Sequence, residues 1–380
     1  MPVERQLPTD EAHDLIALTR AIADKVLDPI VDEHESMETY PDGLFATLGE
    51  SGLLSLPYPA VWGGGEQPYE VYLQVLEEIA ARWAAVAVAV SVHSLACHPM
   101  SGFGTAAQRQ YWLPQMLGGT TIGAYSLSEM HAGSDPAALT CTAAAAPGGS
   151  RINGAKAWIT HGGIADFYTL FARTGEGPQG ISCFHVPAGA EGLSFGSPEE
   201  KMGLHAIPTT TAHYDDVFVP GEHRIGDEGQ GLPIALSALD GGRLGIAAVA
   251  VGIAQAALDE AVRYASERTT FGRRVIDHQG LGFLLADMAA AVIGARATYL
   301  DAARRRDAGL PYSAHASAAK LVATDAAMKV TTDAVQVFGG AGYTRDYRVE
   351  RYMREAKITQ IFEGTNQIQR LVIARHLARA

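Results

Sequence analysis

The stretch Ile361-Phe362-Glu363-Gly364-Thr365-Asn366-Gln367-Ile368-Gln369-Arg370 sets a carboxylate between an aromatic and a glycine, two residues ahead of a threonine. Threonine caps helices well, and Ile368, Leu371, Val372 and Arg375 then recur at helical spacing. Glu363 is therefore expected on a tight turn just outside a helix N-terminus. The helix end favours the anion, whereas the apolar neighbours Ile361 and Phe362 disfavour it. A general base of tunable pKa needs that balance. Taken alone, the stretch also fits a surface carboxylate near a helix start.

Two further stretches bear on chemistry. Ala124-Tyr125-Ser126-Leu127-Ser128-Glu129-Met130-His131-Ala132-Gly133-Ser134-Asp135 begins as a strand and ends in a loop of small residues, whose N–H groups and hydroxyls suit an anion such as a pyrophosphate. Lys156-Ala157-Trp158-Ile159-Thr160-His161-Gly162-Gly163 ends a strand with an aromatic and a hydroxyl two residues apart, on one face. An aromatic wall with a hydroxyl donor suits a flat heteroaromatic ring such as flavin. Each of the two, in isolation, fits an ordinary β turn equally well.

The elements that must position these residues fall into three blocks. Residues 1–118 read as a helical domain, with a turn at Tyr40-Pro41-Asp42-Gly43 and a flexible loop at Trp62-Gly63-Gly64-Gly65. Val86, Val88, Val90 and Val92 alternate, but their Ala-rich flanks favour a buried helix. Residues 119–225 read as an antiparallel β domain, with Asn153-Gly154 as a hairpin turn between Ser150-Arg151-Ile152 and Ala155–Thr160. Residues 226–380 read as a four-helix bundle, with helices over Leu244–Tyr264, Leu281–Arg306, Ser313–Val337 and Asn366–Ala378. The fold class is α+β.

Composition narrows the function. The 380 residues carry a net charge of −13, which argues against a nucleic-acid binder. Cys97, Cys141 and Cys183 are widely spaced with no CxxC, so reduced thiols in a cytoplasmic protein are expected. No signal peptide is visible, and the apolar run from Ala84 to Val92 is too short to span a bilayer.

Together the stretches resemble the acyl-CoA dehydrogenases over essentially the whole chain. AYSLSEMHAGSD is similar to that family's first signature and IFEGTNQIQR to its C-terminal one. Leu239-Asp240-Gly241-Gly242-Arg243 resembles the family's CoA-contacting loop. Arg268-Thr269-Thr270-Phe271-Gly272, with His278-Gln279, resembles the segment that reaches an FAD held by a neighbouring subunit. Gln336-Val337-Phe338-Gly339-Gly340 resembles another segment on that boundary. Five motifs in order make a specific signal.

The resemblance implies roles. Glu363 would take the α-proton of an acyl-CoA thioester while FAD accepts the β-hydrogen, giving the trans-2-enoyl-CoA. Tyr125, Leu127, Ser128, Gly133, Ser134, Trp158, Ile159 and Thr160 would hold the flavin, joined by Gly364, Thr365 and Gln367. Arg268, Thr270, Phe271, His278, Gln279 and the residues Gln336, Val337, Phe338, Gly339 and Gly340 would serve the shared FAD. Ser134, Asp240, Gly241, Gly242, Arg243 and Gly364 would meet the substrate. No metal is implied. The resemblance further implies an electron-transfer flavoprotein as oxidant and a homotetramer built as a dimer of dimers.

Met130-His131 departs from the Pro-Gly usual in the first signature, near the cofactor. In branched-chain and some long-chain members the base comes from a position matching Gly242. A glycine cannot serve, which leaves Glu363 and favours a short or medium straight-chain substrate. Two alternatives stay open: an acyl-CoA oxidase using O₂, and a non-catalytic member binding flavin, CoA or nucleic acid. The GxGxxG match at Gly175–Gly180 contains a proline and opens no helix, so it is not a dinucleotide fingerprint. His93 and His98 lack metal-ligand spacing. Arg304-Arg305-Arg306 at a helix end is expected to be a solvated face.

Overall fold

The computed structural model describes residues 3–378. Six helices come first: α1 (Asp10–Ile22, continued by a π-turn Ala23–Leu27), α2 (Val31–Met37), α3 (Leu44–Glu50), α4 (Tyr69–Ala80), α5 (Ala84–Phe103) and α6 (Ala106–Leu117). Thr105 caps α6 through a reciprocal box with Gln108. The alternating valines do lie on a buried helix, α5.

The second layer is a sheet of eight strands: β1 (Gly123–Ser126), β2 (Thr142–Ala146), β3 (Gly149–Thr160), β4 (Phe167–Arg173), β5 (Ile181–Pro187), β6 (Leu193–Phe195), β7 (Thr209–Pro220) and β8 (Arg224–Ile225). Their order is β6-β7-β3-β2-β4-β5-β8, with β1 added against β4. Pairing is antiparallel apart from β1–β4 and one parallel bridge, Thr142 to Arg173. The hairpin expected at Asn153-Gly154 is not there. β3 runs straight through it, and the turn lies at Pro147-Gly148, between β2 and β3. Asn153-Gly154 is instead a bulge against β7: the register shifts between Ile152 and Gly154, and Asn153 Oδ1 accepts from Asp216 N at 3.0 Å. A side chain at Gly154 would meet Cys141 Cα at 2.8 Å, so the glycine serves close strand approach rather than a turn. Gly175–Gly180 closes the β4–β5 hairpin, with Thr174 N donating to Gly180 O at 2.7 Å.

The chain then returns to helices: α7 (Gly231–Glu267), a ribbon of β9 (Thr269–Thr270) and β10 (Arg273–Arg274), α8 (Gln279–Asp307), α9 (Ser313–Phe338), α10 (Val349–Thr359) and α11 (Asn366–Leu377). α10 is one helix more than the sequence reading gave, although Val349, Tyr352 and Ala356 mark its buried stripe. α7 begins thirteen residues earlier than expected, and Leu239–Arg243 is helix rather than loop. Two adjacent glycines ordinarily cost a helix about 1 kcal/mol each relative to Ala. Here tertiary contact holds them: the Tyr69 hydroxyl donates to Gly241 O at 2.9 Å.

One apolar core runs through α4, α5 and α7 to α9. Gly252 lets α4 lie close, since a Cβ there would stand 2.5 Å from Glu77 O. By length and composition α5, α7 and α8 could each cross a bilayer, so the shortness of the Ala84–Val92 run decides nothing. The apolar windows of α5 and α7 are 89% and 72% buried within the protein, that of α8 only 22%. Phe283 and Ile293 on α8, like Leu371 and Leu377 on α11, stand exposed.

Candidate active site

Glu363 lies on the turn between α10 and α11, as expected. Thr365 caps α11, its hydroxyl accepting from Ile368 N at 3.3 Å. The backbone at Glu363 is left-handed at φ 49°, and Gly364 follows at 87°. Only the second is comfortable there, so the surroundings must hold the first. Lys320 on α9 donates to Gly364 O and to Asn366 Oδ1, each at 2.9 Å, and Gln369 Nε2 donates to Gly364 O at 2.8 Å. Asn366 Nδ2 donates to Thr324 Oγ1 at 2.9 Å and Asp325 Oδ1 at 2.7 Å. The turn is thus bolted to α9 through its neighbours while the Glu363 side chain stays free.

That side chain points inward. The residue as a whole is part-exposed, yet both carboxylate oxygens are buried and neither has a hydrogen-bond partner. Ile361 is itself exposed and does not supply the apolar cover; α7 does. A Cβ at Gly242 would sit 2.1 Å from Glu363 Oε2 and 3.2 Å from Leu95 Cδ1, so any side chain at Gly242 would occupy the carboxylate's space. Burial pushes the Glu363 carboxyl up to about 7, against the opposing charges of Lys320 and Arg243. Desolvation therefore outweighs the helix-end stabilisation expected from the sequence. Lys320 is in turn pushed down to about 8 by burial.

Arg243 is buried one turn along α7 and pairs with Asp240 at 2.5 Å; Ser313 also donates to that Asp240 oxygen, at 2.9 Å. Tyr125 reaches the same region from β1: its hydroxyl donates to Ala235 O at 3.2 Å, and its titration is raised first by burial and then by Cys183 and Glu363. Glu363, Gly242, Arg243, Lys320 and Tyr125 are thus brought together from three elements, α7, α9 and β1, and one turn. Lys320 was missed in the sequence. Its signal was a lysine on the stripe Ala316, Ala319, Ala323, Ala327 of α9, all buried.

The nucleotide-type features lie along the sheet. Leu127 is buried, and Ser128 O accepts from Ala157 N at 2.8 Å, which ties the first signature to the aromatic one. Trp158 is 53% exposed at φ 62°, and Thr160 is likewise off the core, with Ile159 buried between them. A tryptophan held outward in a left-handed conformation at a register shift of β3 offers its ring to something. Gly133 and Ser134 are exposed, and a Cβ at Gly133 would meet nothing within 4 Å. Met130 and His131 are surface residues; His131 Nε2 stands 3.6 Å from Glu129 Oε2.

The remaining sequence candidates lie at the far ends of α7 and α9. Phe271, at the tip beyond β9, is 97% exposed with φ 51°. His278 Nε2 stands 3.3 Å from Thr270 Oγ1, which holds that tip to the start of α8, where Gln279 begins the helix. Arg268 caps the end of α7. Val337 and Phe338 are core residues of this chain, Phe338 stacking on Tyr264 at 4.1 Å, which leaves Gln336, Gly339 and Gly340 for outside contacts. Gln367 is exposed at the start of α11. The exposed ring of Trp158 and the open loop at Gly133-Ser134 fit a flat ring system carrying a pyrophosphate.

Arg304-Arg305-Arg306 departs from expectation. Arg304 donates to Glu70 Oε2 at 2.8 Å, but Arg306 turns inward, its Cζ 3.4 Å from the centroid of the Tyr69 ring. Stacking on an aromatic compensates part of the lost hydration.

Comparison with known proteins agrees over the whole chain. Residues 9–120, 124–217 and 229–378 match the acyl-CoA dehydrogenase N-terminal, middle and C-terminal domains. A short-chain specific acyl-CoA dehydrogenase of Clostridium acetobutylicum is 42% identical over 98% of this chain and 99% of the relative. The butyryl-CoA dehydrogenase structure from Megasphaera elsdenii superposes with a TM-score of 0.96 at 39% identity, covering 99% of this chain and 100% of that one. A chain in the structure of the electron transferring flavoprotein of Acidaminococcus fermentans gives 0.97 at 41% identity, covering both chains fully. The unpartnered Glu363, the outward Trp158 and these three matching domains place the chain in the acyl-CoA dehydrogenase family, FAD-dependent oxidoreductases that act on acyl-CoA thioesters.

Proposed function

We propose that this chain dehydrogenates a short straight acyl-CoA to the trans-2-enoyl-CoA, with Glu363 taking the α-proton. The observation that carries the reading is the Glu363 carboxylate, buried, without a hydrogen-bond partner, and packed against a glycine. A carboxylate with a pKa near 7 is a stronger base than an ordinary one and is still ionised in good part at neutral pH. Bound FAD would supply the hydride acceptor for the β-hydrogen. Trp158, Thr160, Leu127 and Ser128 would hold its ring, and Gly133-Ser134 would meet its phosphates. The N–H of Glu363 donates to the thioester carbonyl as enolate character develops. Asp240 and Arg243 hold the CoA portion. Short-chain selectivity is supported by the relatives named above.

The same reading makes the working form a homotetramer in the cytoplasm, with units at 1–118, 119–225 and 226–380. The exposed apolar residues of α8 and α11, and Phe271, are the surfaces a second copy would cover. An electron-transfer flavoprotein is the acceptor, as the Acidaminococcus likeness supports. The test is anaerobic mixing of the FAD-loaded protein with butyryl-CoA. Flavin bleaching in the wild type and its loss in E363Q are expected. Equal bleaching in both removes Glu363 from the role of base.

A further inference from the structure

The cavity beside Gly242 is more polar than an aliphatic chain requires. Arg306, Tyr58, Ser91, Ser94, Leu95 and His98 line it. Gly241 and Gly242, successive on α7, also line it. A Cβ at Gly241 would stand 3.6 Å from Arg306 Nη1, and one at Gly242 2.1 Å from Glu363 Oε2. Gly242 therefore borders both the cavity and the base, and Arg306 lines the cavity beside Gly241.

Its other polar groups are already engaged. Tyr58 donates to Ser94 O and Tyr69 to Gly241 O. His98 Nε2 is within 3.1 Å of Ser237 Oγ, and burial pushes this imidazole down to about 4, so it is neutral. Arg306 Nη1 is buried with no hydrogen-bond partner, and among the described residues no carboxylate pairs with that guanidinium. Asp307, next along the chain, accepts instead from Tyr69 N at 2.8 Å and Glu70 N at 3.2 Å. A desolvated cation without a counter-ion is costly, and a methyl terminus packed against it would leave it so. A carboxylate there would form a charge-assisted pair. A volume of about 20 Å³ admits a group little larger than a water, which suits the tip of a short chain.

We propose that Arg306 is a specificity-determining residue that binds the terminal carboxylate of a short dicarboxylic acyl-CoA. The proposal rests on reading the cavity as the acyl side of the Glu363 site. An anionic oxygen could also come from a phosphate of the CoA portion, and the experiment separates the two sources.

Flavin reduction is measured with glutaryl-, succinyl- and butyryl-CoA on wild type, R306Q and R306K, with rates expressed per bound FAD so that misfolded protein does not count. A charge-assisted pair predicts that the wild type prefers one dicarboxylic thioester over butyryl-CoA by roughly tenfold or more in kcat/KM. R306Q then abolishes the preference, mainly through a rise in KM for the dicarboxylic thioester, and R306K keeps part of it. A wild type that favours butyryl-CoA over both dicarboxylic thioesters overturns the proposal and leaves the parent reading intact. A uniform rise in KM for all three thioesters in R306Q assigns the guanidinium to a CoA phosphate and likewise overturns it. Absence of bleaching with every thioester overturns the parent reading and the proposal with it.

Discussion

Glu129 and Glu363 are both buried carboxylates, and their surroundings are opposite. Glu129, within the first signature, receives Lys156 Nζ at 2.8 Å, Thr140 N at 2.7 Å, Cys141 N at 2.9 Å and the Thr140 hydroxyl at 2.9 Å. Burial alone would raise it, but Lys156 and these donors hold it below the usual carboxylate range. Glu363 has neighbouring charge but no donor at all, and is raised. A satisfied carboxylate fixes a loop; an unsatisfied one is available to take a proton. The difference separates scaffold from chemistry more sharply than burial or residue type does.

The largest expected effect comes from removing the unsatisfied one. E363Q should lower the rate of flavin reduction by about two to four orders of magnitude with FAD retained, read by stopped-flow absorbance. The reverse holds for Glu129. E129A strands the Lys156 ammonium and two N–H groups, and should cost about 3–5 kcal/mol in a denaturant melt, with activity per folded protein largely kept. A third test uses pH. Glu363 must be ionised to act, so kcat/KM should fall about tenfold per unit as pH drops below about 7. The smallest effect concerns Lys320, whose charge opposes the upward push on Glu363. K320M should move that pH profile to higher pH, by less than about one unit, and loosen the turn at Gly364. A profile that stays put would limit Lys320 to holding the backbone.

Much of this was legible in the chain. Thr365 before an apolar period marked the start of α11, and alanine-flanked valines marked α5. Local signals failed where tertiary contact decided. Asn153-Gly154 has turn chemistry, yet Cys141 and Asp216 hold it in a strand. Asp240-Gly241-Gly242 has loop chemistry, yet Tyr69 and Glu363 fill the space that side chains would need and keep it helical. Arg306 looked like one of three solvated arginines, because stacking on Tyr69, far away in sequence, cannot be read from spacing. On α11 the helical period was right, but the residues it buries are Asn366 and Gln369, and Leu371 faces out.

The left-handed backbone at Glu363 has a consequence for the robustness of the whole molecule. A strained residue, and an anion taken out of water without a donor, both weigh against folding. A carboxyl raised in the folded state makes no difference to stability below its unfolded pKa, near 4.5, and detracts increasingly as pH climbs towards about 7. At pH 8 the inactive E363Q protein should therefore melt higher than the wild type, by an amount on the order of 1–3 kcal/mol that vanishes near pH 4. Selection for sturdiness alone would erase this glutamate. Its persistence at such a cost is a mark of use that calorimetry can read with no substrate in the cell.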